Sequence, residues 1–295
     1  DRSPSRGLGD VYKRQVINVV NKIEIASRNH SMVTGLSTGY TDLDRQTSGM
    51  QPSDLILIAA RPGMGKSALA LNIAQNAAIM DRAAVAIFSL EMPGIQIANR
   101  MLSAQAKVSA ERIKRGDLKD DDWPKLGEAL AALSDTKIYI DDNSSVTATE
   151  IGAKCRKMKI EKGLDLVIID YLQLMSSGMS GVNRQQEVSD ISRTLKVMAN
   201  DLGIPVIALS QLNRSVEKRD VKEPVLSDLR ESGSIEQDAD MVIFLYREGY
   251  YNEDCEEPNK TKIKFDKHRN GEVGSEFLSW LGEYTKFANW SGMRE

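Results

Sequence analysis

Residues 55–67, Leu55-Ile56-Leu57-Ile58-Ala59-Ala60-Arg61-Pro62-Gly63-Met64-Gly65-Lys66-Ser67, constrain the fold more than any other stretch of the chain. An apolar run of strand length meets a glycine-containing turn that ends in Gly65-Lys66-Ser67 and opens into an alanine-rich segment, Ala68 to Met80, with helical character. Strand, loop and helix in that order are the context a phosphate-binding loop requires. Consecutive backbone N–H groups in such a loop curl round a phosphate, and small residues such as Gly63 and Gly65 allow the close approach. The helix N-terminus adds partial positive charge. Lys66 brings a full charge to the β- and γ-phosphates, and the Ser67 hydroxyl is a ligand for Mg²⁺. The stretch Arg61, Pro62, Gly63, Met64, Gly65, Lys66, Ser67 and Ala68 is therefore the candidate nucleotide cradle. Strict spacing asks for glycine where this chain has Ala60.

The bulk numbers narrow the partners. With 295 residues, 41% hydrophobic and 27% charged, the chain is long enough for one large domain or two small ones. A formal net charge of -3 excludes a globally basic nucleic-acid coat, so any contact with DNA or RNA is local, in a groove or pore. Cys155 and Cys255 have neither metal-ligand nor disulfide-framework spacing, which fits a reducing cytoplasm. No apolar run approaches the roughly 18 residues of a membrane span. No secretory pattern opens the sequence.

Residues 1–15 show neither helical nor strand period and are set apart as a non-native or disordered segment. Val16, Val19, Val20 and Ile23 recur at helical spacing, so residues 16–33 read as a linker helix and linker. That helix either packs on its own domain or docks on a neighbouring subunit. The main body is expected over 34–290, with a tail at 291–295. Strands are expected at Ala83 to Leu90, Lys137 to Ile140, Leu164 to Ile169, Ile204 to Leu209 and Asp240 to Tyr246. Helices are expected at Ile95 to Lys107, at Asp122 to Leu133 capped by Asp120 or Asp121, from the capping box Thr147–Glu150 to about Lys162, and at Arg184 to Leu202. Alternation over Lys262 to Lys267, the turn Asn270-Gly271 and the return Val273 to Leu281 predict a late β-hairpin. Continuous apolar strands alternating with helices predict an α/β fold whose mostly parallel twisted sheet carries helices on both faces.

Several polar residues close apolar strands, where ligands of open α/β sheets bind. Asp170 stands about a hundred residues after Lys66 and is either a carboxylate for Mg²⁺ or a strand-end cap. Glu91 is either a general base for an attacking water or a solvated strand end. Gln211 ends a third strand, within reach of a γ-phosphate. Lys267 and Arg269 sit at the end of the late hairpin, either as a solvated basic turn or as groups presented to a neighbour's nucleotide. Arg230, Glu231 and Gly233 lie in a small-residue loop able to offer backbone N–H groups to phosphates. With aromatics at only 5%, nucleic-acid contact is expected through backbone phosphates rather than base stacking.

Taken together, six stretches resemble the C-terminal motor domain of the DnaB-type replicative DNA helicases, a RecA-like fold. They are Ala59 to Ser67, Phe88-Ser89-Leu90-Glu91-Met92, Ile168 to Leu174, Leu209 to Arg214, Asp228 to Asp240, and Lys267-His268-Arg269-Asn270-Gly271. The family accepts alanine at the position of Ala60. The resemblance, over about Thr34 to Trp290, implies a RecA-like P-loop NTPase core assembled as a homohexamer, with ATP and Mg²⁺ at each subunit interface. It implies that Lys66 and Ser67 hold phosphate and metal, Asp170 the metal, and that Glu91 activates water. Gln211 would couple the γ-phosphate to DNA loops, and Lys267 and Arg269 would reach the neighbour's nucleotide. Arg230, Glu231 and Gly233 would grip single-stranded DNA, and the helix at 16–26 would dock on the adjacent subunit. The implied activity is ATP-driven unwinding at a replication fork, 5′ to 3′. Primase and a helicase loader are further implied partners, although the family's N-terminal helical domain is expected to be absent here. Ser53 stands where the family has glycine. A recombinase-type filament and a ring acting on protein are the rival readings of the same core.

Overall fold

The computed structural model describes residues 33–175, 184–252 and 254–292; for residues 230–234 it describes the backbone. Before residue 33 it describes Lys13, Val16, Ile17, Val19, Val20 and Glu24, all helical. The apolar members of that set are exposed, Val16 at 42% and Ile17 at 59%.

The phosphate-loop strand β1 (Leu55–Ala60) lies near the middle of one nine-stranded sheet. In chain order its companions are β2 (Ala84–Ser89), β3 (Lys137–Asp141), β4 (Leu166–Asp170), β5 (Val206–Gln211), β6 (Met241–Tyr246), β7 (Lys260–His268), β8 (Gly274–Leu281) and β9 (Lys286–Asn289). Their spatial order is β3-β2-β4-β5-β1-β6-β7-β8-β9. The first six strands are parallel, and β7, β8 and β9 extend the sheet antiparallel from β6. Register aligns the strand ends that matter, Ala60 opposite Gln211 and Ser89 opposite Asp170.

Alternate residues of each central strand enter opposite layers, and both layers are dry. Ile56, Ile58, Ile168 and Leu209 face α2 (Lys66–Met80) in one core. Leu57, Val167, Ile169 and Ala208 face α6 (Ala148–Lys162) and α7 (Arg184–Leu202), which bury Ile151, Val188, Ile191 and Leu195 in the other. Burial on both sides explains why these strands read as unbroken apolar runs. The edge strand β3 is only partly covered: none of its residues is buried.

The expected α/β architecture is present, with local corrections. Strands β4 and β5 begin two residues later than expected and include Asp170 and Gln211 as their last members. A short helix α1 (Thr41–Thr47) precedes the phosphate-loop strand, and α4 (Ala110–Arg115) follows α3 (Gly94–Ala106). Six or seven residues are too few to display a helical period, though Ser109, which accepts from the Arg112 N–H, was a legible cap. In α5 (Asp122–Ser134), Asp121 stands at the N-cap without a side-chain bond; Asp122 Oδ2 instead accepts from Lys119 N at 2.9 Å. The capping box of α6 forms as expected, Thr147 Oγ1 accepting from Glu150 N and Glu150 from Thr147 N. The late hairpin is three-stranded, because β9 also pairs. Residues 230–232 end a 3₁₀ segment (Leu226–Ser232) and 233–234 open α8 (Gly233–Asp238), so the expected loop is largely helical.

Candidate active site

The loop after β1 turns through two glycines with left-handed backbone, Gly63 at φ +80° and Gly65 at φ +96°. A Cβ at Gly63 would lie 2.8 Å from the Tyr250 ring, and one at Gly65 would lie 2.8 Å from Phe287. Both positions therefore need glycine for conformation, and Gly65, against the buried Phe287 ring, for space as well. Helix α2 begins at Lys66, so the unpaired N–H groups of its first turn face the loop. Met64 is buried beneath the turn, while Pro62 and Gly63 are open. The Arg61 side chain turns away: Nε and Nη2 donate to Glu217 Oε1 at 2.9 and 2.7 Å, and Nη1 donates to the Leu212 carbonyl at 2.6 Å. Only the Arg61 backbone belongs to the cradle.

Lys66 Nζ lies 3.5 Å from Asp170 Oδ1 and 4.5 Å from the Tyr171 ring centroid. Burial pulls the Lys66 ammonium below the ordinary lysine range, and the carboxylates of Asp170 and Glu91 oppose that shift. Apart from that long ion pair, Asp170 Oδ1 is buried without a hydrogen-bond partner. An orphaned carboxylate oxygen beside a phosphate-loop lysine fits a hydrated hard cation. Among the described residues no group of three or more His, Cys, Asp or Glu is placed to cage a metal. A strand-end carboxylate and a hydroxyl, Asp170 and Ser67, are the oxygen donors here that could hold Mg²⁺ together with phosphate oxygens and water.

The cradle opens into a cleft of about 400 Å³ that brings together residues 60–63 and 65–68, Glu91 and Gln211. Glu91 is exposed there, on a turn fastened by Ser89 Oγ donating to the Met92 carbonyl at 2.7 Å and accepting from Met92 N at 3.1 Å. Leu90 N donates to the Asp170 carbonyl at 2.7 Å, which ties the Glu91 turn to the end of β4. Met92, Arg100, Trp280 and Thr285 complete the lining, and the last three were not found from the sequence. Trp280 packs on Phe287 with ring centroids 4.7 Å apart, and the Arg247 guanidinium lies 5.1 Å from the Trp280 ring while donating to the Gly63 carbonyl at 3.2 Å. Nothing in the spacing of these residues marks them; the packing of β8, β9 and α3 around the loop brings them to the cleft.

Lys267 and Arg269 do not reach this cleft. Lys267 Nζ donates to the carbonyls of Glu236 at 2.5 Å and Gln237 at 3.1 Å. Arg269 Nη2 donates to the Gln237 carbonyl at 2.5 Å, and Nη1 lies 3.5 Å from Asp240 Oδ1. The pair thus covers the C-terminal carbonyls of α8, which have no intrahelical donors. Burial and the neighbouring Arg269 charge both lower the Lys267 pKa. Arg230, Glu231 and Gly233 lie just before and at the start of the same helix, between buried Leu229 and Ile235.

The family described as DnaB-like helicase C terminal domain matches residues 35–289. The replicative DNA helicase DnaB of Geobacillus stearothermophilus is 53% identical over 275 residues, 93% of this chain and 61% of the relative. The chain therefore spans about 61% of that relative's length. A DnaB-like replicative helicase, solved in a study of its interactions with primase, superposes with a TM-score of 0.88 at 39% identity, over 99% of this chain and 68% of that one. RadB recombinase superposes at 0.56 with 17% identity, covering 87% of this chain and 100% of its own, and shares the fold alone. A phosphate loop, a strand-end aspartate and a strand-end glutamine on a RecA-like sheet, matched along nearly the whole chain, place this protein in the DnaB-like helicase C-terminal domain family.

Proposed function

We propose that the chain is the motor of a replicative DNA helicase, hydrolysing ATP between copies of itself in a hexameric ring and moving 5′ to 3′ along single-stranded DNA. The observation that carries this reading is a divided site. Lys66, Ser67, Asp170, Glu91 and Gln211 converge at the carboxyl ends of β1, β4, β2 and β5, whereas Lys267 and Arg269 stand outside their own cleft. In this reading the N–H groups of residues 63–67 and Lys66 bind the β- and γ-phosphates. Glu91 accepts a proton from the attacking water, and Gln211 contacts the γ-phosphate. Mg²⁺, held by Ser67 and through water by Asp170, neutralises charge between the β- and γ-oxygens. Lys267 and Arg269 serve the neighbour's nucleotide. Arg230, Glu231 and Gly233 hold the DNA backbone, and the helix around Val16 to Val20 docks on the adjacent subunit. Residues 16–33 are then the linker, 34–290 the motor and 291–295 a tail, and residues 1–15 lie outside the motor. Among the described residues no helix is long and apolar enough to cross a membrane, and we place the protein in the cytoplasm. Primase and a loader are partners of the longer relatives' type.

The test is ATP hydrolysis with and without single-stranded DNA at two salt concentrations. A salt-sensitive stimulation is expected, because phosphate contacts release counterions. A rate indifferent to DNA would overturn the helicase reading and favour a ring acting on protein. Open filaments in place of closed rings, seen by electron microscopy, would favour the recombinase reading.

A further inference from the structure

The segment that leaves β4 carries three side chains in succession toward the site. Asp170 pairs with Lys66, and Tyr171 lies under the Lys66 ammonium. Gln173 reaches across to β5. Its amide forms a two-way clamp on the backbone of Gln211: Nε2 donates to the Gln211 carbonyl at 3.1 Å, and Oε1 accepts from the Gln211 N–H at 3.2 Å. The same Nε2 donates to Ser210 Oγ at 2.7 Å, and Ser210 is fully buried. β5 has Ala60 of β1 as its register partner on one side at this level, while its pairing with β4 ends at Ile169–Ala208. The Gln173 side chain thus supplies at Gln211, three residues beyond Ala208, hydrogen bonds that the β4 backbone has stopped supplying. The other end of the strut is anchored as well. Arg184, at the start of α7, donates from Nη2 to the Gln173 carbonyl at 2.6 Å and from Nη1 to the Met175 carbonyl at 3.1 Å.

We propose that Gln173 is a positioning residue for hydrolysis: its amide sets the backbone of Gln211, and hence the placement of the Gln211 side chain, in register with Lys66 and Asp170. A glutamine suits this task because a single amide presents one donor and one acceptor in the plane of a peptide group. Tyr171 and Gln173 share one short 3₁₀-bounded segment, so Lys66 and Gln211 are aligned by the same piece of backbone. The proposal rests on the reading of Gln211 as the γ-phosphate contact.

Two variants of the full chain, Gln173→Leu and Gln211→Ala, and the double variant separate the possibilities. Gln173→Leu keeps the bulk and removes the clamp. It is expected to lower kcat about tenfold to a hundredfold, the scale of a misplaced reacting group. Binding of a fluorescent non-hydrolysable ATP analogue should stay within about twofold and the melting temperature within a few degrees, since the cradle is built elsewhere. The double variant should be no slower than Gln211→Ala, because the two residues act as a unit. A wild-type kcat in Gln173→Leu beside a crippled Gln211→Ala would overturn the assignment of Gln173 alone. Normal hydrolysis in Gln211→Ala would bring down the γ-phosphate reading and the proposal with it. A Gln173→Leu chain that loses nucleotide binding and melting temperature together with kcat would make the clamp merely structural, and would overturn the proposal as well.

Discussion

The two ends of the divided site are built differently. At β1 the cradle is over-determined: Gly63 and Gly65 are hemmed by Tyr250 and Phe287, Met64 is buried, and Lys66 is enclosed between Asp170 and Tyr171. At the far end of β7, Lys267 and Arg269 hold only main-chain carbonyls of α8 and one carboxylate, and Arg269 is half exposed. In the first arrangement Met64, and Gly65 against Phe287, are tied to core packing. The second is a set of replaceable hydrogen bonds, whose long side chains find other acceptors at little cost. The difference teaches that an enclosed phosphate loop and a loosely tethered basic pair occur in one chain; under the proposed function the tethers of Lys267 and Arg269 give way to a neighbour's nucleotide.

The sharpest way to break that contrast is to remove a group from each half. Lys66→Ala should abolish hydrolysis, a loss beyond about 10⁴-fold, because both phosphate binding and transition-state charge go; phosphate release at the wild-type rate would end the phosphate-loop assignment. Arg269→Ala should lose about 10³-fold in kcat while still binding nucleotide. Mixing it with Asp170→Ala subunits should restore hydrolysis at interfaces that pair an intact cradle with an intact arginine. No recovery at any mixing ratio would mean that Arg269 only caps α8 in its own chain.

Asp240 joins the halves. Its Oδ2 accepts from Leu55 N at 2.8 Å, at the foot of β1, and from Lys196 Nζ at 2.6 Å, while Oδ1 faces Arg269. Asp240→Ala leaves the Lys196 ammonium with only the Ser53 carbonyl and removes the acceptor of the Leu55 N–H, and should cost about 1–3 kcal/mol in urea denaturation. A loss under about 0.5 kcal/mol would show that the halves are mechanically independent. The smallest expected effect is a gain. Ser53, in the turn before β1, has φ +71°, a conformation glycine takes without strain. Ser53→Gly should stabilise the chain by about 0.5–1 kcal/mol, read as a rise in melting temperature; a fall would show that the Ser53 side chain compensates its strain.

The fold was legible where physics acts locally. Runs such as Leu166-Val167-Ile168-Ile169 announce strands covered on both faces, and Thr147 with Glu150 announces a helix start. Asp170 and Gln211 were legible because a polar residue ending an apolar run is a break in pattern. The resemblance named Lys267 and Arg269 but gave no hint of where their side chains rest, because their partners are carbonyls, and every residue has one. Trp280, Thr285 and Arg100 were invisible for a related reason: they meet the cradle through packing of β8, β9 and α3, which no spacing encodes. Ser53, which stands where the family has glycine, is a backbone matter, since its φ is +71°.

The strand order has a consequence for how the chain is made. β1 lies between β5 and β6, and Gly65 packs against Phe287, about 220 residues further on. At about 5–20 residues per second of synthesis, the phosphate loop leaves the ribosome roughly 10–45 s before the residue that closes over it. Until β5 and β6 emerge, about 150 and 185 residues after it, its strand is an apolar ribbon with both hydrogen-bonding edges open, the kind of segment that chaperones exist to shield. The feature that makes the finished cradle rigid, its enclosure by distant parts of the chain, also makes its strand the most exposed to misassociation on the way there.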